Sequence, residues 1–419
     1  MLATSLIDYT YAKVTRPMDI RFDPAMGGGT PSMTAYPTGR ADDAVKTIRF
    51  TCVAWDTVEH VLSVRDAKAT ETVSFILPTR GHQDYIGVRV EEVLDTQTTK
   101  KIGFWAALYR NGQSNLTYNG NPLTQRPKDF DQFWAQARKD LDAIPLKPII
   151  TEEKTSSPTG RLYKVLLTSY GNVTVVSWVM TPKEVDLFHP EKTTRKYPAI
   201  QAQPGYACPQ GPYDRTDEGY ITLSMNPRGH GASNEYWPLP GDHQYYRVED
   251  PKEYYYHGAY LDCIRGLDFL FSRPEVDTTR VGVEGSSQGG AFTIALCGLD
   301  HRIRCGVAYV PFIVNLRDFG PMVSRKFQTL MEDPKIGKKV QQTLMYHDPA
   351  NIAESIQCPI MVTVGLQDQI CPPLNGVVAL NRVPAGVPRA LVTDPMADHE
   401  IAPLFGHEKV IWQNTWLKK

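Results

Sequence analysis

The 419-residue sequence has almost no net charge: 45 Lys and Arg stand against 46 Asp and Glu, leaving −1 at pH 7. That balance excludes the basic field by which proteins gather nucleic acid and the polybasic patch that anchors chains to anionic membranes. No apolar run approaches the ~20 residues needed to cross a bilayer. The opening "MLATSLIDYTYAKVTRP" has no basic region followed by a long apolar stretch, so it does not read as a secretory leader. A soluble protein is expected, cytoplasmic as written, and periplasmic or secreted if a leader has been trimmed. Cysteine is sparse too. Cys52, Cys208, Cys263, Cys297, Cys305, Cys358 and Cys371 are scattered, odd in number and free of C-x-x-C spacing. They read mostly as buried free thiols, with no zinc site and no metal expected, and the redox compartment stays open.

What is present falls into two regions with different periods. The length exceeds what one hydrophobic core usually holds, so two domains are expected. Residues 20 to 43 are rich in Gly, Pro, Thr and Ala and read as loop. From 45 to 110 come short segments of strand character, among them "VKTIRFTCVAW", "YIGVRVEEVL" and "KKIGFWAALYR", with no helical period between them. Residues 1–125 are therefore read as a small all-β unit, a sandwich with an irregular leading segment. Trp55, Trp105 and Tyr109 are read there as core aromatics rather than as a sugar platform. Residues 126–419 alternate strand and helix. "DFDQFWAQARKDLDAI" predicts an amphipathic helix, and "RLYKVLLTSY" with "VTVVSWVMTP" an antiparallel pair. "HGAYLDCIRGLDFLFSR" predicts a helix burying Tyr260, Cys263, Ile264, Leu267 and Phe271 on one face. The alternation implies an α/β domain with a doubly wound, mostly parallel sheet.

Within that domain, "RVGVEGSSQGGAF" places two serines between glycines. The pattern Gly-x-Ser-x-Gly fits only around Ser287, with Gly285 and Gly289 at ±2. Centred on Ser286 the flanking residues are Glu284 and Gln288, and the pattern fails. A nucleophile elbow turns a strand into a helix so tightly that side chains at ±2 collide, and Ser287 falls between a predicted strand and a predicted helix.

A serine hydroxyl needs a base, which on such a sheet follows it in the order serine, acid, histidine. Four histidines follow Ser287. His301 lies in a polar turn, His347 ahead of a helix start and His407 inside the last helix. His399 follows the strand "RALVTD", at a strand end where open sheets assemble their sites. For the acid, Asp368 ends the strand segment "PIMVTVGLQ" and precedes "QICPP". Asp394 and Asp398 compete, but near neighbours of a histidine seldom reach its Nδ1. Two amides should face the developing oxyanion: that of Gln288, at the helix N-terminus, and that of Tyr206 in "QAQPGYACPQG".

These residues resemble the acetyl xylan esterase / cephalosporin-C deacetylase family of α/β-hydrolases. The resemblance runs from about residue 127 to the C-terminus through "PKDFDQFW", "PGY", "YYYHGAYLDCIRGLDFL", "GSSQGG", "VGLQDQICPP" and His399-Glu400. It implies an α/β-hydrolase fold and a serine esterase that removes acetyl groups from sugar hydroxyls. It also implies no cofactor, frequent homo-oligomers, Ser287, Asp368 and His399 as the triad, and Tyr206 and Gln288 as oxyanion donors. Two positions depart from the family pattern. "RGHG" (Arg228 to Gly231) stands where the family has Arg-Gly-Gln-Gly, and Ser286 stands where glycine is usual. His230 is read as a loop-ordering residue. The competing readings are an acyl-CoA thioesterase or acyltransferase, which would need a long acyl tunnel, and a carbohydrate-binding protein on an inactive hydrolase scaffold.

Overall fold

The computed structural model describes residues 20–25, 32–37, 47–55, 59–76, 84–109, 125–239, 241–317, 325–365, 368, 370–394 and 397–418. Among the described residues no helix is long and apolar enough to cross a membrane.

Among the described residues of the N-terminal region the regular elements are all strands, in two antiparallel sheets. One joins β1 (Ile20–Ala25), β2 (Ser32–Pro37) and β5 (Val73–Ile76) in that order. The other has the order β4-β3-β6-β7, from β3 (Thr47–Trp55), β4 (Glu59–Lys68), β6 (Asp84–Val93) and β7 (Thr99–Tyr109). Within the stretch 20 to 43, expected as loop, residues 20–25 and 32–37 are strands, and the rest lies outside the described residues. Ile20 to Ala25 pair with Ser32 to Pro37, and β2 pairs onward with β5. Pairing to a distant strand supplies what the Gly- and Pro-rich composition conceals. The side chains of Trp55, Trp105 and Tyr109 lie outside the described ones. Ile48, Phe50, Val88 and Val90 are buried.

The second region is built on a nine-stranded sheet ordered β16-β15-β14-β13-β11-β12-β10-β9-β8. Its strands are β8 (Ile149–Glu153), β9 (Gly160–Thr168), β10 (Thr174–Pro182), β11 (Tyr197–Gln203) and β12 (Ile221–Asn226), then β13 (Val276–Ser286), β14 (Cys305–Tyr309), β15 (Ile360–Gly365) and β16 (Arg389–Asp394). β8, β9 and β10 run antiparallel at one side, and β12 through β16 are parallel. Every residue of β11, β12, β14 and β15 is buried, which is why these segments read as continuous apolar runs rather than alternating ones. From β11 the chain crosses to β12 on one side and then to β13 on the other. The carboxyl ends of β11 and β13 therefore adjoin at a topological switch point, where such sheets place their sites.

Helices among the described residues include α1 (Phe130–Asp142), α2 (Tyr255–Ser272), α3 (Gln288–Leu299), α4 (Arg325–Glu332), α5 (Gly337–His347), α6 (Pro349–Ile352), α7 (Pro373–Arg382) and α8 (Pro403–Leu417). α1 is amphipathic and buries Phe130, Trp134, Ala137 and Leu141. α2 departs from the expected single apolar face: every residue from Tyr255 to Leu270 is buried, while Phe271 is only partly so. The reason is a second layer. α1 covers α2 from outside, with Trp134 stacked on His257 at 5.4 Å between ring centroids. Arg265 of α2 donates to the terminal carbonyls of Leu141 (2.5 Å) and Ile144 (3.0 Å), the cationic capping that a helix C-terminus favours.

Candidate active site

Ser287 sits between β13 and α3 at φ 58°, ψ −120°, a left-handed conformation unusual for any residue but glycine. Three main-chain bonds hold it there. Its N–H donates to Tyr309 O (2.9 Å), and its carbonyl accepts from Phe312 N (2.9 Å) and Ala291 N (3.2 Å). The flanking glycines are steric requirements. A Cβ on Gly285 would lie 2.5 Å from the carbonyl oxygen of Gly289, and one on Gly289 would lie 2.5 Å from that of Gln203. Ser286 ends β13, paired with Tyr309 in the sheet.

His399 lies in the loop after β16. Its Nδ1 is 2.8 Å from Asp368 Oδ2 and its Nε2 is 3.0 Å from Ser287 Oγ. A carboxylate only accepts, so Nδ1 carries the proton and bare Nε2 accepts from the serine hydroxyl. The Asp368 side chain is fully buried while His399 is 19% exposed. The second carboxylate oxygen, Oδ1, accepts from the N–H groups of Ile370 (2.9 Å) and Cys371 (2.7 Å), fixing the carboxylate beyond β15. Gly365, at the end of β15, leaves room for the histidine loop: a Cβ there would come within 2.6 Å of the carbonyls of Ala397 and Asp398. The two rival acids serve local turns. Asp394 accepts from Ala397 N (3.2 Å), and Asp398 accepts from His399 N (2.9 Å).

The other histidines lie elsewhere. His301 is exposed and contacts Ser355 O, and His407 is exposed beside Glu408. His347 is buried at the end of α5, with Nδ1 2.8 Å from Thr343 O. Burial pushes its imidazole down to about 4.

Among the described residues, Asp368, Cys371 and His399 form the group whose donor atoms, all within 4.8 Å of one another, suit a metal ion. The hydrogen bonds already account for the carboxylate and the imidazole, and Cys371 Sγ stands 4.0 Å from His399 Nε2. Burial, then the charge of Asp368, pushes the Cys371 thiol well up, so it is held as the neutral thiol and is a poor nucleophile.

Gln288 is the first residue of α3, where an N–H has no carbonyl one turn earlier to bond. Its side chain is fully buried. Tyr206 lies in the loop after β11. Its ring packs edge-on against His243 (5.3 Å) and Phe312 (5.7 Å), and its hydroxyl donates to Asp242. Burial, reinforced by Asp242, holds that hydroxyl protonated. Sequence reasoning did not single out Asp242, His243, Tyr255, Tyr256 or Cys371. The run "YYYHGAY" carries the one local signal, three adjacent tyrosines opening a helix, all of which are buried in one core.

A model of the acetyl xylan esterase family matches residues 115–418. The acetyl esterase Axe7A of Xylanibacter ruminicola is 24% identical over 327 residues, covering 71% of this chain and 69% of that protein. A solved acetyl xylan esterase from Paenibacillus is similar at 27% identity and TM-score 0.65, covering 72% of this chain and 99% of that one. One from Thermoanaerobacterium shares the fold at 23% identity and TM-score 0.64, covering 72% of this chain and 97% of that one.

Proposed function

This chain belongs to the acetyl xylan esterase family and is a carbohydrate acetylesterase of the α/β-hydrolase fold, and we propose that it works through an acyl-enzyme on Ser287. One observation supports this most strongly: Ser287 Oγ, His399 and Asp368 lie in one hydrogen-bonded line, at 3.0 Å and 2.8 Å.

In this reading His399 Nε2 takes the hydroxyl proton as Ser287 Oγ attacks the carbonyl carbon of a sugar acetate. Asp368 keeps the imidazole in its Nδ1–H tautomer and stabilises the imidazolium. The carbonyl oxygen gains negative charge as it accepts hydrogen bonds donated by the N–H groups of Gln288 and Tyr206. The tetrahedral adduct then collapses, and the sugar oxygen leaves with the proton from His399. Water, deprotonated by the same Nε2, attacks acetyl-Ser287; the adduct collapses, acetate leaves, and His399 returns the proton to Ser287 Oγ. The strained backbone at Ser287 holds Oγ ready for attack, so no reorientation is required at the reacting step.

The substrates that fit are acetylated xylo-oligosaccharides, with the sugar as leaving alcohol. Measuring acetate release from these against other acetylated glycans and acetylated antibiotics tests the assignment. Preference for the xylo-oligosaccharides supports it, and turnover of acetylated antibiotics alone overturns it. Residues 1–125 are proposed as a separate β unit ahead of a catalytic unit at 126–419, which predicts that the second, expressed alone, keeps hydrolysis of small acetate esters.

A further inference from the structure

Behind the nucleophile, a line of buried side chains connects the loop after β12 to the first residue of α3. Gln288 Nε2 lies 2.8 Å from His230 Nε2, and Tyr256 OH donates to Gln288 Oε1 at 2.9 Å. On the other side of the ring, His230 Nδ1 lies 2.8 Å from Tyr255 OH and 3.4 Å from Arg228 O, while Tyr255 OH lies 2.9 Å from Arg228 O. One proton arrangement satisfies every atom. A backbone carbonyl only accepts, so Tyr255 donates to Arg228 O, and His230 Nδ1–H donates to the phenol oxygen. Nε2 is then bare and accepts from the Gln288 amide, whose oxygen accepts from Tyr256.

The frame around this line is rigid. Arg228 donates to Asp262 of α2 three times, from its backbone N (2.9 Å), Nε (2.8 Å) and Nη2 (2.8 Å). Gly258 makes room for that guanidinium, since a Cβ there would lie 2.4 Å from it. His243 stacks on His230 with ring centroids 4.3 Å apart. Burial first, and the stacked His243 second, push His230 down to about 3, which keeps the ring neutral.

We propose that His230 is a positioning residue for the oxyanion donor: through Nε2 it anchors the Gln288 side chain and so fixes the peptide whose N–H faces the developing oxyanion. This rests on the reading of Gln288 as that donor. The Gln288 amide is gripped at both ends, by His230 and by Tyr256, which removes rotation at its Cα–Cβ bond. The preceding residue is already fixed by its positive φ. The peptide between them is thus held from both sides before substrate arrives, and preorganisation of this kind lowers a barrier without a reorganisation cost. Ordering of the loop alone is accomplished by its main chain, with His230 N donating to Pro227 O and its carbonyl accepting from Ser233 N. The imidazole serves Gln288.

The test is a set of variants assayed on an acetyl ester in the full chain. His230→Leu keeps bulk and removes the acceptor, while His230→Gln restores an acceptor on a flexible stem. His230→Leu should lower kcat by about 10- to 100-fold, less than or equal to the loss of one oxyanion donor, with KM within about two-fold. His230→Gln should recover kcat to within a few-fold. Combined with Gln288→Leu, the His230→Leu loss should not multiply, because both act through one contact. Equal damage in His230→Gln and His230→Leu, or multiplying losses, overturns the proposal. If His230→Leu does not fold, nitrogen NMR of the wild-type imidazole decides: a protonated Nε2 at neutral pH overturns it, and a bare Nε2 with protonated Nδ1 supports it. Ser287→Ala separates the two levels. Activity surviving that change defeats the elbow reading itself, whereas its loss alongside unaltered kcat in His230→Leu defeats only the present inference.

Discussion

Gly285 and Gly289 touch across the elbow: a Cβ added to the first would meet the carbonyl oxygen of the second at 2.5 Å. That contact explains why one serine of the adjacent pair fits the turn. Ser287→Ala should remove ester hydrolysis by several orders of magnitude in kcat, while Ser286→Ala keeps most of it. Steady-state kinetics of the two variants checks this, and comparable losses contradict it.

Asp368 is buried, takes two backbone N–H groups on one oxygen and faces His399 with the other. Asp368→Asn should lower kcat by up to about 10⁴-fold with the fold retained, because the amide favours the wrong imidazole tautomer. Asp394→Asn and Asp398→Asn, which alter turn contacts, should change kcat by less than about ten-fold. A reversed ranking places the acid elsewhere.

Acyl-chain length tests the shape of the site. The Tyr206 ring is held by Phe312, by His243 and through its hydroxyl by Asp242, and Phe312 N–H bonds the Ser287 carbonyl. The expectation is that these rings close the acyl pocket after one methyl group. Each methylene that cannot enter forfeits ~0.8 kcal/mol of burial and adds ~1–3 kcal/mol of overpacking. Butyryl esters should therefore lose a hundredfold or more in kcat/KM relative to acetyl, at about 1.4 kcal/mol per factor of ten. Tyr206→Ala, which keeps the amide, should flatten the series. A profile rising from acetyl to octanoyl on one leaving group contradicts the account and favours a thioesterase.

Local constraints were readable in the sequence, and long-range ones were not. The ±2 glycines act within five residues, so a short pattern captured the steric need at Ser287. Chain order and strand ends single out His399, which lies within hydrogen-bonding distance of Ser287, and Asp368, which lies within hydrogen-bonding distance of His399. The contacts of Gln288 with His230 and Tyr256 join residues far apart in sequence, and no local period reveals them. α2 reads as amphipathic until α1 is seen covering it. β1 and β2 are held by pairing partners that the Gly- and Pro-rich composition hides.

Stability should fall on acidification above the carboxylate range. His347 titrates near 4 and His230 near 3 in the fold because burial disfavours the imidazolium; burial lowers His257 and His243 as well. Between about pH 6.5 and about 4 the unfolded chain thus binds protons that the folded chain refuses. Linkage then makes the free energy of unfolding drop as pH falls through that window. Asp348 opposes this: burial raises it to about 6, so the folded state holds its proton between about pH 6 and 4. One group works against four, and the net slope is a loss. Urea unfolding from about pH 7 to about pH 4.5 measures it. His347→Gln should reduce the slope by up to one proton, or about 1.4 kcal/mol per pH unit. A flat profile, or one rising toward acid, contradicts the assignment of these rings as neutral.

The most direct measurement is rapid-quench peptide mapping during turnover of an acetyl ester. The account predicts that the acetyl group accumulates transiently on Ser287, within residues 280–292, and disappears at the rate of acetate release. It predicts no labelled peptide in Ser287→Ala. Acetyl found on Ser286 or Cys371 instead, or turnover with no covalent intermediate on rapid quenching, would contradict it.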